Sequence, residues 1–223
     1  MTASNSIVTI DGPSGAGKST VSQLLAARLG YTYLDTGAMY RAVGLKVERT
    51  GIDPTDAAAL ERLLAGLDLA LAPGENETRV LLDGEDVSRA IRTAEMGMVA
   101  SRVSALPAVR RTLTALQQEL GRRGKVVAEG RDMGTVVFPE APYKFYLDAS
   151  AEERARRRHE QLLEKGQPSD YQEILAQIIQ RDRDDSARAL APLKPAADAI
   201  IIDSSRLDAE GVVAVMLQHI NAS

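Results

Sequence analysis

Apolar residues recur along this chain in two rhythms. Short β-branched or aromatic runs at Ile7–Ile10, Tyr31–Leu34, Lys125–Ala128, Lys144–Leu147 and Ile200–Ile202 have the length and continuity of strands covered on both faces, as in a parallel sheet. Between them the spacing turns helical. Val21, Leu24, Leu25 and Leu29 predict a helix over Thr20–Leu29 that Gly30 stops, and a second helix is entered at Ala38. The chain closes on an amphipathic helix over Asp208–Ile220, whose Met216 and valines read as packing residues. Strands that alternate with helices predict an α/β fold around a central parallel sheet.

The middle of the chain departs from that rhythm. Leu67–Leu71 alternates, a turn follows at Pro73–Asn76, Arg79–Leu82 is a further strand, and Asp86–Ser88 is a third short piece after Asp83 and Gly84. This is a hairpin pattern, and it predicts a small antiparallel lobe inserted into the core. A helix from about Thr93 to Val103 continues it, and Pro107 separates this from a helix carrying Val109, Leu113, Leu116 and Leu120. Two helix starts fit capping boxes, Ser150 with Glu153 and Ser169 with Gln172; the second opens an apolar stripe of Ile174, Leu175, Ile178 and Ile179. There is no internal repeat.

Composition narrows the function classes. At 223 residues the chain is one large domain or a core with inserted lobes. A net charge of −4 argues against a surface that coats nucleic acid, so any basic site is local and no nucleic-acid partner is expected. With no cysteine and only His159 and His219, disulfides and thiolate metal sites are excluded and a structural zinc is not expected. The first residues lack a basic segment followed by an apolar one, and no apolar run is long enough to span a bilayer, which predicts a cytoplasmic protein without a membrane partner.

The chemistry centres on Gly12, Pro13, Ser14, Gly15, Ala16, Gly17, Lys18 and Ser19, which match the phosphate-binding pattern G-x-x-x-x-G-K-[ST] at every fixed position. Its glycines let successive backbone N–H groups turn inward around phosphate oxygens, Lys18 adds a mobile charge over the β- and γ-phosphates, and the Ser19 hydroxyl is suited to Mg²⁺. The motif leaves a predicted strand and opens a predicted helix, the context in which the helix dipole points at the anion. Thr36 and Arg41 repeat the logic after the second strand, although an N-cap plus a solvated arginine explains them equally well. Glu129, Arg131 and Asp132 surround Gly130 at the carboxyl end of the third strand, where open parallel sheets bind ligands. Arg154, Arg157 and Arg158 share a helix face, either towards an anion or as a solvated face paired with Glu152, Glu153 and Glu160. Arg181, Asp185 and Arg188 also share a face, where surface ion pairs alone would contribute little.

The P-loop implies a nucleoside triphosphate with Mg²⁺, and Arg41, Arg131, Arg181 and Arg188 suggest a second anion as acceptor. A phosphate monoester has its second pKa near about 6 and is already ionised at neutral pH, so no Ser-His or Cys-His pair is needed to activate it. Positioning and charge stabilisation then suffice.

These segments, with Leu34–Arg41, Ile91–Thr93, Glu129–Pro139, Leu147–Ser150, Arg181–Asp185 and Ala191–Leu193, resemble the bacterial cytidylate kinases, nearly end to end. The resemblance implies a three-layer P-loop kinase core over 1–62, 102–150 and 189–223, an inserted monophosphate-binding lobe over 63–101 and a helical lid over 151–188. It implies transfer of the γ-phosphoryl group of ATP to CMP and dCMP, with Mg²⁺ as cofactor, small nucleotides as the partners and a monomer as the working form. Residue by residue, it implies that Gly12 to Thr20 bind ATP with Arg154, Arg157 and Arg158 closing over it. Thr36, Arg41, Arg131 and Arg188 would hold the acceptor phosphate, Ser101, Arg110 and Asp132 would read cytosine, and Arg181 with Asp185 would hold the ribose. Lys18, Arg131, Arg157 and Arg188 would be catalytic, Ser19 would hold the metal, and Glu129 would reach it through water. Two rivals share part of this pattern. A kinase for another small acceptor keeps the P-loop and lid, and a GTP-dependent switch protein keeps the P-loop but needs an Asn-Lys-x-Asp guanine-reading segment that the chain lacks.

Overall fold

The computed structural model describes residues 7–72, 74 and 78–222. Among them the elements run β1 (Ile7–Asp11), α1 (Lys18–Leu29), β2 (Thr32–Asp35), α2 (Thr36–Thr50), α3 (Ala57–Ala65), β3 (Leu69–Ala72), β4 (Arg79–Leu82), β5 (Glu85–Asp86), α4 (Ala94–Val103) and α5 (Pro107–Gly121). There follow β6 (Val126–Gly130), a π-helical turn (Met133–Val137), β7 (Tyr143–Asp148), α6 (Ala151–Glu164), α7 (Tyr171–Ala187), β8 (Ile200–Asp203) and α8 (Ala209–Asn221). The chain divides into two compact units, one made of the residues up to Leu34 with those from Gly121 onward, the other of Asp35–Leu120.

The first unit is built on a five-stranded sheet in the order β2-β6-β1-β7-β8, in which β1 pairs parallel with β6 and β7, and β7 parallel with β8. Continuous runs buried on both faces make this possible: on one face Val8, Ile10, Val127, Phe145 and Leu147 pack with Val21 and Leu25 of α1 and Val212, Val213 and Met216 of α8, and on the other Ile7, Thr9, Val126 and Ala128 are buried as well. Each large apolar side chain among them contributes about 1.5–3 kcal/mol on burial. The strand order matters for function. The chain crosses from β6 over β1 to reach β7, so the loops after β1 and β6 lie side by side at the carboxyl ends, where open α/β sheets bind ligands.

The second unit holds an antiparallel three-stranded sheet, β3-β4-β5, and the helices α2 to α5. There α2 and α4 approach closely at Gly44, where an added Cβ would lie 2.7 Å from Val99 Cγ1. The expected insert over 63–101 lies inside this unit, which extends beyond it at both ends; on the N-terminal side α2 packs on α4 and β4. Pro107 takes the first position of α5, where its missing N–H costs no bond.

Several local expectations need correction. Helix α3 was not expected; it is nine residues long with only Leu60, Leu63 and Leu64 buried, and its clearest signal is the Asp56 cap on the Ala59 N–H. The π-helical turn was likewise missed. β3 starts at Leu69 rather than Leu67, and β5 is Glu85–Asp86, although the Val87 N–H still bonds the Val80 carbonyl. Four of the residues around the expected Pro73–Asn76 turn, Pro73 and Glu75 to Glu77, lie outside the described residues. Neither capping box closes. Ser150 caps the Glu153 N–H, but the Glu153 carboxylate is taken by Arg156 and Arg157; at α7 the cap is Asp170, and Ser169 hydrogen-bonds His159 instead.

Candidate active site

The loop between β1 and α1 has the backbone that its glycines predict. Gly12, Gly15 and Gly17 have φ of 148°, 80° and 89°, and a Cβ at Gly12 would lie 2.0 Å from the Leu147 carbonyl oxygen, so only glycine passes there. Gly17 caps α1, whose first turn carries no acidic residue, leaving the positive end of the helix dipole uncompensated. Lys18 is 7% exposed and its Nζ donates to the Pro13 carbonyl at 2.6 Å. Burial first, and then the nearby Arg131, hold its ammonium well below the usual lysine range, against the pull of Glu129 and Asp11.

Beside the loop, Glu129 on β6 accepts from the Ser19 hydroxyl at 2.7 Å and from the Tyr33 hydroxyl at 2.5 Å, both on Oε1. Ser19 and Glu129 thus bring hard oxygen donors together, the donor type that Mg²⁺ selects. Among the described residues no three His, Cys, Asp or Glu side chains form a metal cage.

A cationic cluster faces the same end of the sheet. Arg131 donates from Nε to Asp185 at 3.1 Å, Arg188 pairs with the other oxygen of that carboxylate, and Arg181 reaches the Ser14 hydroxyl at 3.4 Å. Asp185 is 1% exposed. Burial raises its pKa, but Arg131, Arg188 and Arg181 outweigh that and hold it below the usual carboxylate range. Surface ion pairing therefore does not describe this group, and Arg188 lies just past the end of α7 as its C-cap.

The arginines of α6 also separate. Arg154, 4% exposed, donates to the carbonyls of Ala149 and Ser14 and doubly to Asp182. Its guanidinium fixes the phosphate loop to α7. Arg157 bonds Glu153 and both oxygens of Ser204, whose hydroxyl in turn donates to the Ala16 and Asp148 carbonyls, and its Nη1 lies 3.9 Å from where a Cβ at Gly17 would stand. Arg156 is paired with Glu153 and Glu160 on the exposed side. Arg158 has no ion pair among the described residues.

Asp132 is buried directly after Arg131 and stands at the N-cap position of the π-helical turn. In the second unit, Thr36 is the buried first residue of α2, and Asp35 rather than Thr36 is the cap, accepting from the Ala38 N–H at 2.8 Å and from Arg41 at 3.2 Å. Arg110 of α5 is buried, donates to the Ser104 carbonyl and lies 5.9 Å above the Tyr40 ring; Ser101 sits on α4. Residue reasoning missed Asp11, Tyr33, Asp182 and Ser204. Of these only Asp11 carried a signal, an acid ending an otherwise apolar strand immediately before Gly12.

The family model described as cytidylate kinase matches residues 8–222. The chain is 53% identical to the cytidylate kinase of Geobacter sp. (strain M21) over 94% of this chain and 90% of that one. It is 48% identical to the cytidylate kinase of Carboxydothermus hydrogenoformans over 96% of both, and 50% identical to that of Pseudomonas aeruginosa over 96% and 94%. An uncharacterized protein from Eubacterium ventriosum, 10% identical, shares the fold with a TM-score of 0.52 over 98% and 99% of the two chains.

Proposed function

Because this chain belongs to the cytidylate kinase family and is a nucleoside monophosphate kinase acting on CMP, we propose a division of that work among its residues. Gly12 to Thr20 take the triphosphate of ATP, with Lys18 following the γ-phosphoryl group and Arg157 approaching from α6. Arg131, Arg188, Thr36 and Arg41 hold the acceptor phosphate. An oxygen of that phosphate attacks the γ-phosphorus in line; the new O–P bond forms as the bond to the β-phosphate bridging oxygen breaks, and ADP departs with the electron pair. Asp132, Arg110 and Ser101 read the base, and Arg181 with Asp185 contacts the ribose. dCMP, which retains the base and the phosphate, is a second acceptor.

One observation supports this most strongly. Lys18, Arg131, Arg181 and Arg188 gather at the carboxyl ends of β1 and β6, where burial and the nearness of Arg131 and Arg181 hold the Lys18 ammonium below its usual range, a cost that a polyanionic ligand would relieve. Mg²⁺ fits beside Ser19 and Glu129, where it would neutralise charge on the transferring phosphates. Nucleotides are the partners in this reading, and a cytoplasmic monomer is its working form; among the described residues no helix is long and apolar enough to cross a membrane.

A coupled assay with ATP against CMP, dCMP, UMP, AMP and shikimate tests the reading. CMP and dCMP are expected to be phosphorylated far faster than the rest. Equal rates with UMP would remove the base-reading assignment, and turnover of shikimate would point to the rival acceptor.

A further inference from the structure

The strand that leads into the phosphate loop ends in a buried acid. Asp11 is 3% exposed, and its carboxylate accepts the backbone N–H of Met133 on Oδ1 and of Gly134 on Oδ2, each at 2.8 Å. Those two amides open the π-helical turn, whose own bonds begin with the Val136 N–H to the Asp132 carbonyl, so they have no donor role within it. Helix caps normally come from the residue just before the helix. Here Asp132 holds that position without a side-chain cap bond, and the cap arrives from a different strand.

Such an arrangement is expensive for folding alone. Taking a carboxylate out of water is costly unless it is well bonded, and a neutral acceptor could satisfy one amide more cheaply. What a bidentate carboxylate adds is geometry, since two parallel bonds fix both the distance and the orientation of the segment they hold. The residues tied together are the one before Gly12, where the phosphate loop starts, and the one after Asp132. Close packing completes the joint: a Cβ at Gly134 would lie 3.1 Å from Thr9 Oγ1 and 3.2 Å from Lys144 Cδ, so the turn lies directly against β1 and β7.

We infer that Asp11 is a positioning residue that sets Arg131 and Asp132 in register with the phosphate loop. It touches neither substrate, and its effect passes through the backbone of Met133 and Gly134. The inference rests on the assignment of Asp132 to the base. Misplacing a contact by about 1 Å costs on the order of 100-fold, and the loss of one of two anchoring bonds should move Asp132 by part of that distance.

The test compares Asp11→Asn with Asp132→Ala in the full chain, measuring kcat and KM for CMP and UMP, ATP affinity, thermal melting and the ¹H–¹⁵N signals of Met133 and Gly134. Asn keeps one acceptor oxygen and presents an amide donor to the other N–H. D11N is expected to lower the CMP/UMP ratio of kcat/KM by about tenfold, to shift at least one of the two amide signals, and to change ATP affinity much less. A folded D11N enzyme that keeps its CMP/UMP ratio overturns the inference, even if it melts earlier, because Asp11 would then serve stability alone. If D11N fails to fold, Asp11→Glu, which keeps the charge but displaces the oxygens by one methylene, is read against the same expectation. Failure of both to fold also overturns it. An unchanged ratio in D132A, with or without an effect of D11N, removes the base-reading assignment itself.

Discussion

Removing the ammonium of Lys18 tests the phosphate loop at the scale of one residue. Lys18→Ala should lower turnover by several orders of magnitude while the melting temperature stays near that of the parent, because the charge that follows the migrating phosphoryl group is gone and a costly buried cation with it. Near-normal turnover in the folded variant would refute the loop's role. The depressed ammonium has a second consequence. Bringing a polyphosphate beside it restores the charged form, so ATP binding should take up protons at pH values above the depressed midpoint of Lys18 in the nucleotide-free protein and below the ordinary lysine range. Calorimetry in buffers of different ionisation enthalpy measures that uptake, and it should vanish in Lys18→Met.

At the scale of elements, the α6–α7 hairpin is the part expected to respond to substrate. Arg154 and Arg157 satisfy themselves on Asp182, Glu153 and Ser204, so a bound triphosphate competes with protein carboxylates for at least one of them. Hydrogen exchange across Arg154–Gln167 should slow when both nucleotides bind; unchanged exchange would mean these arginines only brace the protein. The strands and most of the helices were legible because their signals are local: β-branched runs, glycine stops, Pro107. Partners from distant segments were not. The second capping box failed because Ser169 found His159, and the spacing of Arg181, Asp185 and Arg188 could not announce that Asp185 would be buried between Arg188 and the distant Arg131. The conformation of the Gly12–Ser19 loop was readable to the residue, since it belongs to one continuous stretch. Asp11 was not, because its partners lie more than a hundred positions away.

For the whole molecule, two buried acids give stability opposite dependences on pH. Burial raises Asp11 to about 6 despite its bonds to Gly134 and Met133, with Asp132 adding to the rise and Lys18 opposing it. Between pH 6 and 4 the folded state therefore binds the proton that the unfolded state has released, and this group's contribution to stability grows as pH falls, by about 3 kcal/mol at most. Asp185 works the other way. Its folded pKa lies below 3.8, so its contribution is present above that value and is lost as pH falls below it. The difference in unfolding free energy between the parent and D11N should accordingly shift in the parent's favour from pH 7 to pH 4; a constant difference would contradict the assignment. The order of the strands also has a consequence in time. β1 is made first, yet Ile7 pairs with Val126 and Val8 with Tyr143. On the ribosome the central strand must wait, apolar and with both edges open, until most of the chain has been translated, and the phosphate loop cannot be set before then. Nascent chains arrested ahead of β6 should fail to retain ATP, and their early segment is where a chaperone would find its grip.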